Sequence, residues 1–224
     1  MQIDIRVMEL LASKICHDLV SPVSAINNGV ELIEDIGGSV VDEAMKLIGD
    51  SGITASRRLR LFRMAYGRAG SEDNLAIKDV RQVAEQYLAG GKVSLEWPED
   101  QPSAELATRR GFVKTLLNLV VLAEETLAYG GTLALRSDGT DSGCRIEIIG
   151  RNAQLSPQLQ EALEGTATIE NLSPRSIQAY MVSRFAAQFD LNVTYDQSVP
   201  DHLQLVLHVP EAAVLSVPSL VNLF

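Results

Sequence analysis

Two long amphipathic stretches, parted by paired glycines, constrain this 224-residue chain more than any other feature. Met8, Leu11, Ile15, Leu19, Ile26, Val30 and Ile33 recur at gaps of three, four and seven, which predicts one helix from about residue 4 to about 35. The segment "DIGGSV" follows, with Gly37 and Gly38 suited to a tight reversal. A second helical pattern runs from about 41 to 67 through Ala44, Met45, Ile48, Ala55, Leu59, Phe62 and Ala65, and "GRAGSEDN" then reads as a polar linker. Two antiparallel helices cannot bury wide apolar faces against each other alone. The hairpin is therefore expected to pair with a second copy as a dimeric four-helix bundle.

From residue 75 the pattern becomes mixed. "LAIKDVRQVAEQYLAGG" predicts a short strand or turn and then a helix, and "KVSLEWP" alternates as a strand does. "TRRGFVKTLLNLVVLAEETLAYGG" reads as one strongly apolar helix; "TLALRSD" and "CRIEIIG" read as hairpin-paired strands. Two more helices open on Ser-Pro, at Ser156-Pro157 and Ser173-Pro174, and "LNVTYD" and "HLQLVLHVP" close the pattern as strands. The expected fold class is α+β. A helical hairpin spans 1–70, an antiparallel sheet with helices on one face spans 75–212, and the apolar tail at 213–224 has no clear period.

A net charge of −10 argues against nucleic-acid and anionic-membrane binding, since both need a basic surface. No run of eighteen apolar residues offers a membrane span, and "MQIDIRVMELLASK" lacks the pattern of a secretory signal. Two unclustered cysteines, Cys16 and Cys144, suggest a reduced, cytoplasmic setting. Protein and small-molecule partners remain.

Within the first helix, "KICHDLVSPVSAI" (14–26) holds a histidine, an acid and a proline. At about 100° per residue, His17 lies two positions from both Ile15 and Leu19 and so points away from the apolar stripe. Its surface neighbours are Ser13, Lys14, Val20, Ser21 and Ser24. A metal site fits poorly: Cys16 diverges from its neighbour, no His or Cys stands at i+4, and His202 and His208 belong to a distant strand. A serine triad lacks the strained elbow it needs. Nucleophilic catalysis fits better, because an unprotonated imidazole can attack phosphorus and Asp18 can stabilise the charge that develops. The bland alternatives are a solvated histidine, a solvated acid and, at Pro22, a kink.

"H-D-L-V-S-P" resembles the phosphoacceptor box of the dimerisation and phosphotransfer domain of sensor histidine kinases. The resemblance implies that His17 is phosphorylated, that Asp18 is its acid/base partner, and that Ser21 fills the polar position one turn on. It also implies a Bergerat-type ATP-binding fold for the second domain, where the pattern departs. "F-V-K-T-L-L-N-L-V-V-L-A-E-E" is similar to the kinase N-box, with Asn118 at its first Asn, but the magnesium-binding second Asn falls on Leu122. "R-N-A-Q-L-S-P" stands where kinases carry the adenine-gripping Asp-x-Gly-x-Gly, and "N-L-S-P-R-S-I-Q" stands where they carry a phosphate-binding Gly-x-Gly.

A kinase-like hairpin joined to a domain without nucleotide contacts resembles the ChpT-type histidine phosphotransferases of alphaproteobacteria. The residues "C-H-D-L-V-S-P-V-S-A-I", "L-I-E-D" and "D-E-A-M-K-L-I" carry that likeness. It implies a homodimer that binds no ATP and no metal of its own. It would take a phosphoryl group from the receiver domain of a hybrid kinase and pass it to a response regulator, with Mg2+ supplied by the receiver. Val20, Ser24, Asn27 and Asn28 are then the expected receiver contacts. The basic run "S-R-R-L-R-L-F-R" (56–63), far along the second helix, is either a further receiver contact or a solvated face. The competing readings are a divergent kinase that still uses ATP and a non-catalytic dimeric scaffold.

Overall fold

The computed structural model describes residues 4–67, 76–99, 101–140 and 142–210. The expected linker beyond Gly67 and the apolar tail lie outside the described residues. Helix α1 (Ile5–Ile36) begins at Asp4, whose carboxylate accepts from the Arg6 amide at 2.8 Å, and ends at Gly37, whose φ of 63° turns the chain. A single 3-10 turn (Gly38–Val40) leads into α2 (Val41–Ala65), which returns antiparallel. The helices pack tightly at Gly29, where a Cβ would lie 2.7 Å from Ile48 Cγ1. Pro22 is buried inside α1 without interrupting it, so the expected kink is no break.

The apolar stripe divides in two. Leu11, Ile15 and Leu19 pack against the C-terminal core, while Met8, Val30, Met45 and Leu59, expected as buried, stand exposed on this single chain.

The remainder forms α3 (Ile77–Leu88), β1 (Val93–Glu96), α4 (Ala104–Thr108), α5 (Phe112–Thr126), β2 (Gly131–Ser137) and β3 (Gly143–Ile149). These are followed by α6 (Pro157–Glu164), α7 (Ile177–Gln188), β4 (Asn192–Val199) and β5 (His202–His208). The sheet order is β1-β2-β3-β5-β4. It is mixed rather than antiparallel, because β1 and β2 run parallel through a helical crossover that contains α4 and α5. The hairpins β2-β3 and β4-β5 are antiparallel.

Helix α3 opens at Ile77 on Ala76. Two local expectations change. The long apolar helix starts at Phe112 rather than near Thr108, since Gly111 before it sits at φ 76° and a Cβ there would collide with the Phe189 ring. Helix α7 starts at Ile177 rather than at Ser173-Pro174, because Ser173 and Ser176 bond each other in a turn.

Helices cover one sheet face, and Leu203, Leu205 and Leu207 of β5 point into them. Helix α5 is buried along nearly its whole length. Leu61, Phe62, Met64 and Ala65 at the end of α2 join the same core, so hairpin and sheet domain are packed as one body. Among the described residues no helix is long and apolar enough to cross a membrane.

Candidate functional site

The imidazole of His17 stands on α1 with its side chain 89% exposed. Its Nδ1 lies 3.4 Å from Asp18 Oδ1, the one pair that the sequence placed together and the structure brings within reach. Ser21, Ser24 and Asn28 follow at i+4, i+7 and i+11, all exposed, with exposed Val20 and Asn27 beside them. The predicted residues thus share one open strip running from His17 toward the hairpin turn.

N-terminal to His17, one face of α1 is tied to the C-terminal domain. Arg6 donates to the carbonyls of Glu170 and Leu172, and Lys14 reaches Glu125 at the end of α5. The C-terminal domain therefore packs on one face of α1 as far as the histidine's own turn, where Leu19 also meets the core.

Asp18 is held at three points. Oδ1 faces His17, Oδ2 accepts from Lys14 Nζ at 3.3 Å, and its main-chain carbonyl accepts from Arg58 Nη1. Lys14 is buried and Asp18 half-buried. Burial opposes the charged form of Lys14, but Glu125 and Asp18 outweigh it and hold the ammonium above its ordinary range. Burial pushes Glu125 above the ordinary carboxylate range, with Lys14 pulling the other way. Glu124 is likewise raised by burial against the pull of Lys14 and Arg58, and Tyr87 Oη lies 3.5 Å from its Oε2.

The basic run on α2 is largely spoken for. Arg57 donates to the Ala89 carbonyl, Arg58 to Asp18 and Arg60 to Gln86, so these three tie the hairpin to itself and to α3. A cavity of ≈ 530 Å³ lies beside them, lined by Arg57, Arg58, Tyr87, Lys92 and Glu124 among others. Lys14, Arg58 and Glu125 were not singled out by sequence reasoning for this role. Lys14 at i−4 from Asp18 was the only local signal, since Glu125 is 111 residues from Lys14.

The segment similar to the N-box, and those standing where kinases carry nucleotide contacts, are engaged in the chain's own bonds. Asn118 is fully buried, and its Nδ2 donates to the Ala65 and Lys114 carbonyls at 2.8 Å each. Gln178 Nε2 donates to Asn118 Oδ1 at 3.1 Å. Leu122 is buried in the core. The Leu159 amide is taken by Ser156 Oγ, and the Ser176 and Ile177 amides by the Ser173 carbonyl. Glu125, Pro157 and Pro174 line the cavity of ≈ 730 Å³ between these two segments. Among the described residues no three His, Cys, Asp or Glu side chains are grouped to hold a metal ion.

Comparison with known proteins gives a consistent answer. Residues 77–200 match the family model of the histidine phosphotransferase C-terminal domain. Over 195 residues the chain is 34% identical to the protein phosphotransferase ChpT of Brucella abortus (strain 2308), an alignment covering 86% of this chain and 90% of that protein. A solved bacterial phosphotransferase superposes with a TM-score of 0.74 at 29% identity, over 93% of this chain and 98% of that one.

Proposed function

This chain belongs to the histidine phosphotransferase family, and on that premise we propose that His17 is the side chain on which it carries the phosphoryl group. Histidine phosphotransfer in a phosphorelay is its reaction, and its partners are of the response-regulator type. One observation carries the assignment of the site: an imidazole 89% exposed, with Nδ1 turned to a carboxylate held in place and Nε2 left for attack.

The donor in this reading is a receiver aspartyl phosphate of a hybrid kinase. The Nε2 lone pair attacks phosphorus; the N–P bond forms as the P–O bond breaks, and the carboxylate leaves with the bonding electrons. Nδ1 keeps its proton, so the phosphorylated ring is a cation that Asp18 stabilises. Attack by the aspartate of a second receiver, on a response regulator, reverses these steps. Magnesium, which neutralises phosphoryl charge, belongs to the receiver in this proposal. Ser21 sits one turn from the reacting nitrogen, and Val20, Ser24, Asn27 and Asn28 form the open strip against which a receiver docks.

Two further parts belong to the same proposal. The exposed apolar residues Met8, Val23, Val30, Met45 and Leu59 lie where a second hairpin would complete a four-helix bundle, so a homodimer is expected by light scattering. The commitment of Asn118 and of the Ser173–Ile177 turn to internal bonds supports a domain that binds no ATP. A cytoplasmic setting accords with two free thiols, Cys16 and Cys144.

The test is transfer from a receiver carrying labelled phosphate. Acid-labile, alkali-stable label should appear on the wild type and none on His17→Ala. Equal labelling of the alanine variant would refute the site. Self-labelling from ATP would refute the absence of nucleotide chemistry and favour a divergent kinase.

A further inference from the structure

Lys14 is one of three buried residues of α1, with Pro22 and Gly29. A buried ammonium is unfavourable unless it is paired, and here it meets two acids from different parts of the chain. Its Nζ contacts Asp18 Oδ2 at 3.3 Å, one turn along its own helix, and Glu125 Oε1 at the end of α5. The remaining charges around it are Glu124, next to Glu125, and Arg58, bonded to the Asp18 carbonyl. Asp18 thus has one carboxylate oxygen for Lys14 and the other for His17.

We propose that Lys14 is a positioning residue for phosphotransfer: anchored by Glu125 of the C-terminal domain, it holds the Asp18 carboxylate so that Oδ1 accepts from Nδ1–H of His17 and Nε2 keeps the attacking lone pair. The inference rests on the reading of His17 as the phosphoacceptor. An imidazole this exposed has little packing to fix its tautomer, so the neighbouring carboxylate must do so. That carboxylate, left alone on a helix surface, would swing among rotamers. The Lys14 bridge removes that freedom. The C-terminal domain thereby reaches the reacting nitrogen through one ion pair, without touching the imidazole.

Two measurements on the full chain test this. One is the initial rate of label transfer from a phosphorylated receiver; the other is the two-bond 1H–15N correlation spectrum of His17, which distinguishes Nδ1–H from Nε2–H. Lys14→Met should slow transfer about tenfold, as expected for losing one charge-assisted hydrogen bond, and should move the ring toward Nε2–H. Glu125→Gln should move both in the same direction, and Lys14→Arg should restore both. Since Lys14→Met leaves two acids unpaired, Lys14→Met/Glu125→Gln serves as the variant relieved of that burden. It should fold yet stay slow, because Asp18 is still unheld.

A double variant with wild-type rate and wild-type tautomer would overturn the proposal, leaving the ion pair a purely structural one. Label on His17→Ala would instead overturn the acceptor assignment, so the two failures are distinguishable.

Discussion

Arg58 Nη1 donates to the main-chain carbonyl of Asp18, the carbonyl that Pro22 leaves without its helical partner. In an α-helix the oxygen of residue 18 accepts from the amide of residue 22, and proline has no amide hydrogen. A cation from the antiparallel helix takes that place, one residue from the histidine along the chain. The bond keeps α1 continuous through its proline and fixes the backbone that carries Asp18.

Removing either side of this arrangement has a defined consequence. Arg58→Met should lower stability by about 1–3 kcal/mol, the range for a hydrogen bond to a charged group whose acceptor is then left unsatisfied. In a Pro22→Ala background, where residue 22 regains an amide, the same substitution should be milder. Urea unfolding of the four proteins measures the coupling. Additive effects would show that the guanidinium does not replace the missing amide.

The strip below His17 should be sensitive to charge without being needed for folding. Asn28→Glu and Ser24→Glu place a carboxylate on an exposed helix surface, where stability should change by less than about 0.5 kcal/mol. Transfer from a phosphorylated receiver should fall about tenfold or more, because like charges set against an acidic partner's phosphorylated site oppose docking. Unchanged transfer would place the receiver elsewhere.

Asn118 should behave as a structural residue. Asn118→Ala strips the donor from the Ala65 carbonyl at the end of α2 and removes one of the two acceptors of Gln178 Nε2, which keeps the Asn118 main-chain carbonyl. A loss of about 1–3 kcal/mol is expected from the one buried carbonyl left unsatisfied. A residue that only served a nucleotide would be replaceable at little loss, so chemical denaturation separates the two roles.

The two thiols should differ sharply. Cys16 is exposed and should react at once with a disulfide reagent, whereas buried Cys144 should react only on unfolding. Burial, aided by the charge of Asp138, pushes the Cys144 thiol up to about 12 from its ordinary value of 9.0. The folded protein therefore keeps this proton in a pH range where the unfolded chain releases it. Its stabilising contribution is complete below about pH 9 and should be lost as pH rises toward about 12. Cys144→Ala, compared with wild type by urea unfolding across that range, should lack this part of the decline.

Local patterns were legible because their causes are local. The hairpin followed from helical periodicity interrupted by Gly37-Gly38, and Ser156-Pro157 opened α6 as a side-chain cap and a pre-set φ require. The start of α5 just after Gly111 was not legible, because what forbids a Cβ there is Phe189, which is distant in sequence. The same limit hid the parallel pairing of β1 with β2, since a crossover's strand partner is chosen by packing.

His17, Asp18 and the open strip beside them were determined by the sequence itself, since helix phase alone decides which side chains share a face. Tertiary structure decided what holds them. Lys14 met Glu125 and Arg58 met the Asp18 carbonyl only once α5 and α2 had packed against α1. Such pairings arise from the satisfaction of buried charges and orphaned carbonyls across the fold, a requirement with no period along the chain.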